Sequence, residues 1–128
     1  MEKLLLVAAG GAVGAVARYL TGTQTLRLLG PHWPYGTLAV NLVGGLAMGA
    51  LIATLALRGG ADQERWRLLL GVGVLGGFTT FSAFSLEVAL MMERREWASA
   101  FTYSTLSVVA SVAALFAGMM LVRKLVAA

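Results

Sequence analysis

Residues 71–85 read GVGVLGGFTTFSAFS. The stretch is apolar enough for the interior of a membrane span, yet Gly76-Gly77 and Thr79-Thr80 are poor material for continuing a helix. A break here frees backbone carbonyls. Lipid offers them no donor, so protein, water or an ion must meet them. The alternative is an intact helix bent by Thr and Ser hydroxyls that bond the preceding turn. Composition leaves break and bend both open. Freed carbonyls are oxygen ligands for a hard cation such as Na⁺, and the accompanying donors and hydroxyls suit an anion. No carboxylate lies beside the stretch, so a weak-field, carbonyl-only cation site is the better expectation.

Outward from this stretch the chain divides into four apolar runs, at about 4–29, 35–57, 68–92 and 98–122. Each is long enough for a hydrocarbon core of about 30 Å. Gly30-Pro31-His32-Trp33-Pro34 separates the first two, and Trp33 and Tyr35 suit a membrane interface. Arg58 to Arg67 is the most polar segment and is expected to be a loop. Glu93 to Trp97 forms a short charged turn. Lys3, the apolar run and Ala15-Val16-Ala17 mimic a signal peptide, but the run is Gly-rich where signal peptides prefer Leu.

Of the 128 residues, 59% are hydrophobic and 12% charged, against roughly 25% charged in a soluble domain. The expected class is an all-α integral membrane protein, one transmembrane domain over 1–128. The absence of cysteine removes disulfides, thiol chemistry and cysteine-based zinc sites. No Walker-type loop is present, and no length remains for a soluble catalytic domain, so an enzyme is not expected. The net charge is +4. Most basic residues flank the apolar runs, which points to anchoring in a lipid bilayer and not to nucleic acid.

Four spans put both termini on one side. That side carries Lys3, Arg58, Arg65, Arg67, Arg123 and Lys124, six in all. The other carries Arg27, Arg94 and Arg95, three in all, plus Arg18 if that end of the first helix is exposed, so cytoplasmic termini are mildly favoured. Gly10-xxx-Gly14, Gly45-xxx-Gly49 and Gly73-xxx-Gly77 are small-xxx-small pairs that let helices approach closely in lipid. Four helices make a thin bundle, so a homo-oligomer is expected.

Several polar and aromatic residues lie inside the spans. Phe81 and Phe84, three apart, share a helix face. They serve either as core or as ring edges, which are positive and can face an anion. Asn41 is a lone amide that either bonds another helix or points an N–H at a pore anion. Tyr103, Ser107 and Ser111 form a stripe at i, i+4 and i+8, suited to gluing helices or lining a polar track. Arg18 either snorkels or adds positive charge to a vestibule. Glu87 is expected to pair with a basic residue.

These residues fall in motifs. Gly76-Gly77-Phe78-Thr79-Thr80-Phe81-Ser82-Ala83-Phe84-Ser85 resembles the GG-x-TTFSTFS signature of the Fluc fluoride channels, also called CrcB proteins. Gly10 to Tyr19 resembles that family's GGxxGAxxRY opening, and Pro34 to Asn41 its PxGTLxVN stretch. With the span count and length, the resemblance covers essentially the whole chain.

The resemblance implies a passive fluoride channel in the prokaryotic inner membrane, exporting fluoride that enters as neutral HF. It implies an antiparallel, dual-topology homodimer with two pores and a third helix broken near the midplane. Asn41, Phe81, Phe84, Ser82, Tyr103, Ser107 and Ser111 would line the fluoride pore, and Arg18 a vestibule. The carbonyls of Gly76 and Thr79 from both subunits would hold a structural Na⁺. Ala83 departs from the motif's Thr and removes one hydroxyl. The six-against-three charge bias also departs from free dual topology, which makes a related paralogous chain the alternative partner. A proton-coupled multidrug transporter of similar size needs a carboxylate in the first span, which has none after Glu2. A purely structural subunit would need no midspan polar track.

Overall fold

The structure, a computed structural model, describes residues 1–127. Its helices are α1 (Glu2–Leu29), α2 (Tyr35–Arg58), α3 (63–78), α4 (Ser82–Glu93) and α5 (Trp97–Ala127). α3 and α4 are the halves of the third apolar run, Gln63–Glu93. With α1, α2 and α5 they make four helical segments long and apolar enough to cross a membrane, the architecture of a multi-pass membrane protein.

The ends of these elements follow from local chemistry. Gly30, at φ 83°, closes α1 and sends its N–H to the Leu26 carbonyl, a conformation that costs a Cβ-bearing residue more than glycine. Between α4 and α5 the chain turns through Arg95 at φ 61°. Arg95 N–H reaches the Met92 carbonyl at 3.0 Å and Glu96 N–H the Met91 carbonyl at 2.9 Å, the paired bonds of a Schellman ending.

The expected loop over Arg58–Arg67 is shorter than the sequence suggested, because helix resumes at Gln63. Its polar first turn is tied to the start of α1: Lys3 meets Glu64 and Arg65 meets Glu2, each at 3.0 Å. These ion pairs are exposed, so the turn keeps its charged face in water. At the other end α5 continues past Arg123 and Lys124 to Ala127, where cations complement the helix C-terminus.

Arg67–Leu75 is π-helical, a wider turn that periodicity does not announce. Gly71 and Gly73 are buried within it. α3 lies on α1 so closely that a Cβ on Gly10 would come within 2.9 Å of Gly73 Cα, and one on Gly77 within 2.6 Å of the Gly11 carbonyl. A second seam joins α2 to α5. There a Cβ on Gly49 would strike the Leu115 carbonyl, and one on Gly118 the Leu46 carbonyl. Backbone-to-backbone approach of this kind replaces the hydrophobic force that lipid cannot supply.

The core is small. Phe84, Met91, Ala100 and Tyr103 form its buried cluster, with Trp33, Leu38 and Val88 packed against it. Trp33 therefore belongs to the interior side of its loop, its indole N–H donating to Ser99 Oγ at 3.0 Å. Many large apolar side chains face outward, among them Leu4, Val13, Phe101, Phe116 and Leu125, as suits a surface solvated by hydrocarbon.

Candidate functional site

The third apolar run is interrupted at 79–81, where Thr79 turns extended at φ −84°, ψ 161°. Thr79 N–H and Oγ1 both go back to the Leu75 carbonyl, at 3.0 and 2.9 Å. The next amide leaves the helical ladder: Thr80 N–H donates to Asn41 Oδ1 at 2.9 Å, and Asn41 Nδ2 donates to the Thr80 carbonyl at 3.0 Å. Asn41 thus pairs with both backbone groups of one residue, as a neighbouring strand would.

Gly76, Gly77 and Thr79 are among the carbonyls that lose their ordinary i+4 donors as a result. The donor due to Gly76 is Thr80 N–H, now on Asn41. The donor due to Thr79 is Ala83 N–H, now on Thr80 Oγ1 at 3.2 Å. Gly77 has a substitute, since Arg18 Nε donates to its carbonyl at 3.2 Å. Gly76 and Thr79 are the two carbonyls expected to hold a cation, and their donor set is the one a weakly bound monovalent ion suits. Among the described residues no cluster of His, Cys, Asp or Glu offers a charged metal cage.

Beside the break lies a groove of about 520 Å³ between α2, α4 and α5, lined by Asn41, Gly76, Thr79, Thr80, Phe81, Phe84, Ser107 and Ser111 among others. The Phe81 and Phe84 rings stand 5.4 Å apart between centroids and tilted by 43°. Phe84 is buried, whereas Phe81 is 75% exposed. Ser107 Oγ and Ser111 Oγ are buried, and among the described residues neither has a hydrogen-bond partner. A hydroxyl withdrawn from water and left without a partner costs about 1–3 kcal/mol, so these two are poised for an acceptor that the chain itself does not provide.

A second cavity, also about 520 Å³, opens on the other side of Thr80 towards the loop 30–34. Arg18, Thr37, Ala83, Glu87 and Arg94 line it. Among the described residues Glu87 pairs with no basic residue, contrary to expectation. Thr37 Oγ1 donates to Glu87 Oε2 and Tyr103 O–H to Glu87 Oε1, each at 3.0 Å. Two neutral donors on neighbouring helices satisfy the carboxylate, and the cavity wall also carries two guanidinium groups, Arg18 on the Gly77 carbonyl and Arg94 paired with Glu96 at 2.6 Å.

The structure therefore gathers Asn41, Phe81, Phe84, Ser107 and Ser111 around one groove and sets Arg18 in the adjoining cavity. Gly76 and Thr79 lie at the groove's floor. Tyr103 lies elsewhere, fully buried and turned to Glu87, its ring centroid 5.3 Å from those of both Phe84 (tilted by 42°) and Trp33 (edge-on at 74°). Ser82 is exposed outside the groove, 3.3 Å from Thr80 Oγ1. Sequence reasoning passed over Thr37 and Thr80. Thr37 carried a signal: four residues before Asn41, it shares that residue's helix face.

Residues 5–119 match the family model described as CrcB-like protein, Camphor Resistance (CrcB). The chain is similar to a protein named fluoride-specific ion channel FluC from Caulobacter sp. (strain K31), 70% identical over 125 residues, covering 98% of each chain. It is 68% identical over 127 residues to the protein of the same name from Phenylobacterium zucineum (strain HLK1), covering 99% of this chain and 100% of that one. Against the FluC of Caulobacter vibrioides (strain NA1000 / CB15N) it is 62% identical over 127 residues, with the same coverage.

Proposed function

The chain belongs to the CrcB-like family, and from that membership we propose that it is a fluoride channel that lets cytoplasmic fluoride leave the cell passively. The observation that carries the reading is the pair of buried, unpartnered hydroxyls of Ser107 and Ser111 in the groove that the two phenyl rings also line. Fluoride is small and strongly hydrated, so a pore has to replace its water with many close donors. Hydroxyls, the second N–H of Asn41 and the positive edges of Phe81 and Phe84 are such donors. None is a full positive charge that would trap the ion, while Arg18 in the adjoining cavity draws anions towards it.

In this proposal the working unit is an antiparallel homodimer in the inner membrane, with two pores. Phe81 supports it, since a ring so exposed beside a groove suits a surface completed by a second copy. The carbonyls of Gly76 and Thr79 would hold a structural Na⁺ between subunits, which when bound supplies fixed positive potential near both pores. Within each chain, Asn41 keeps the Gly76 carbonyl free by holding the Thr80 amide that would otherwise close the helix, and Thr80 Oγ1 keeps the Thr79 carbonyl free by accepting the Ala83 N–H. A related paralogous chain is the second reading of the partner, favoured by the six-against-three distribution of Lys and Arg.

Fluoride efflux from liposomes holding only this purified protein tests the activity. Fluoride is expected to leave and chloride to stay. Absence of fluoride flux would end the proposal. Labelling from either side of the membrane is expected to find both orientations of the chain; a single orientation would select the paired-chain reading.

A further inference from the structure

We infer that Thr80 is the relay through which an anion passes between the two cavities, its hydroxyl donating to fluoride at the partition. This rests on the channel reading above and names a side chain that reading does not use. Thr80 lines both the groove and the Arg18 cavity, and among the described residues it is the one common to the two linings.

The local bonding suits the role. Both backbone groups of Thr80 are fixed on Asn41, so the side chain is held at the partition with only its hydroxyl left to reorient. Thr80 Oγ1 accepts Ala83 N–H at 3.2 Å and lies 3.3 Å from Ser82 Oγ. Two hydroxyls in contact own two protons and use one between them. Whichever of them donates, one O–H proton remains for a further acceptor, and the choice can switch by rotation alone. Fluoride is a compact, charged acceptor, for which such bonds are at their strongest. Ala83 lines the Arg18 cavity without a hydroxyl, so on that side the partition depends on Thr80. On the groove side the next donors are the unpartnered Ser107 and Ser111.

The test is fluoride efflux from liposomes of the full chain. Thr80→Val keeps the shape and removes the donor, and should slow efflux about tenfold or more. Thr80→Ser should run near the wild-type rate. Adding Ala83→Thr to Thr80→Val should recover part of the flux, because it returns a hydroxyl to the same cavity wall without returning the acceptor for Ala83 N–H. A merely structural Thr80 would show no such recovery. If Thr80→Val does not elute as a folded species, Thr80→Cys takes its place. The chain has no cysteine of its own, so methyl methanethiosulfonate should block that variant alone. Wild-type efflux alongside an undiminished Thr80→Val, or an unblocked Thr80→Cys, overturns the relay and leaves the channel standing. A wild type that passes no fluoride overturns both.

Discussion

The two cavities that meet at Thr80 have the same size and treat their polar atoms in opposite ways. In the one that opens towards the loop 30–34, Glu87 has a donor on each oxygen, from Thr37 and Tyr103. In the other, Ser107 and Ser111 are withdrawn from water with no partner among the described residues. In a bilayer neither arrangement is neutral, since an unmet polar group cannot fall back on solvent. The first region spends its donors within the fold and so holds helices together. The second leaves them open and so suits something that passes through. Substitutions on the two sides should therefore separate stability from transport.

The largest effect is expected at the boundary itself. Asn41→Leu strips both partners from the Thr80 backbone and should cost roughly 3 kcal/mol, read as a lower unfolding midpoint in detergent and loss of a single gel-filtration peak. Equal stability would mean that the break is held by something other than this amide. Tyr103→Phe leaves Glu87 Oε1 without its donor and should destabilise by about 2 kcal/mol, again visible in the unfolding midpoint. Phe81→Ile removes a ring edge from an exposed position; efflux should fall about tenfold with the midpoint unmoved, whereas Phe84→Ile should lower both. Smallest is Ser107→Ala. It removes a hydroxyl that bonds to nothing, so stability should hold or rise slightly while efflux drops a few-fold. A clear loss of stability there would erase the contrast between the cavities.

Much of this was legible in the sequence, for reasons that can be named. Apolar runs of span length located the four membrane-length segments, and Gly76-Gly77 with Thr79-Thr80 marked where the third comes apart. The side chains that gather at the groove stood out because an amide, hydroxyls and paired rings are conspicuous in so apolar a chain. The π-helical turns were illegible, because Arg67–Leu75 is compositionally ordinary; the tight seam that joins Gly10 to Gly73 was marked by their small-xxx-small pairs, although which helices would meet was not. Tyr103 illustrates the limit of a stripe. Each i+4 step drifts about 40° around a helix, so over two steps Tyr103 and Ser111 diverge by about 80°. That is enough for one to face the core and the other the groove. Glu87 was expected to seek a cation, but the tertiary fold delivered two hydroxyls from α2 and α5 first.

The pairing of Asn41 with Thr80 also bears on how the protein is made. Asn41 precedes Thr80 by 39 residues, so during synthesis its helix leaves the ribosome well before the interrupted segment follows. The amide that caps the interruption is thus synthesised first and is at hand to meet the Thr80 peptide unit, which hydrocarbon cannot satisfy. Reversing the order of these two segments in a permuted gene would take that escort away.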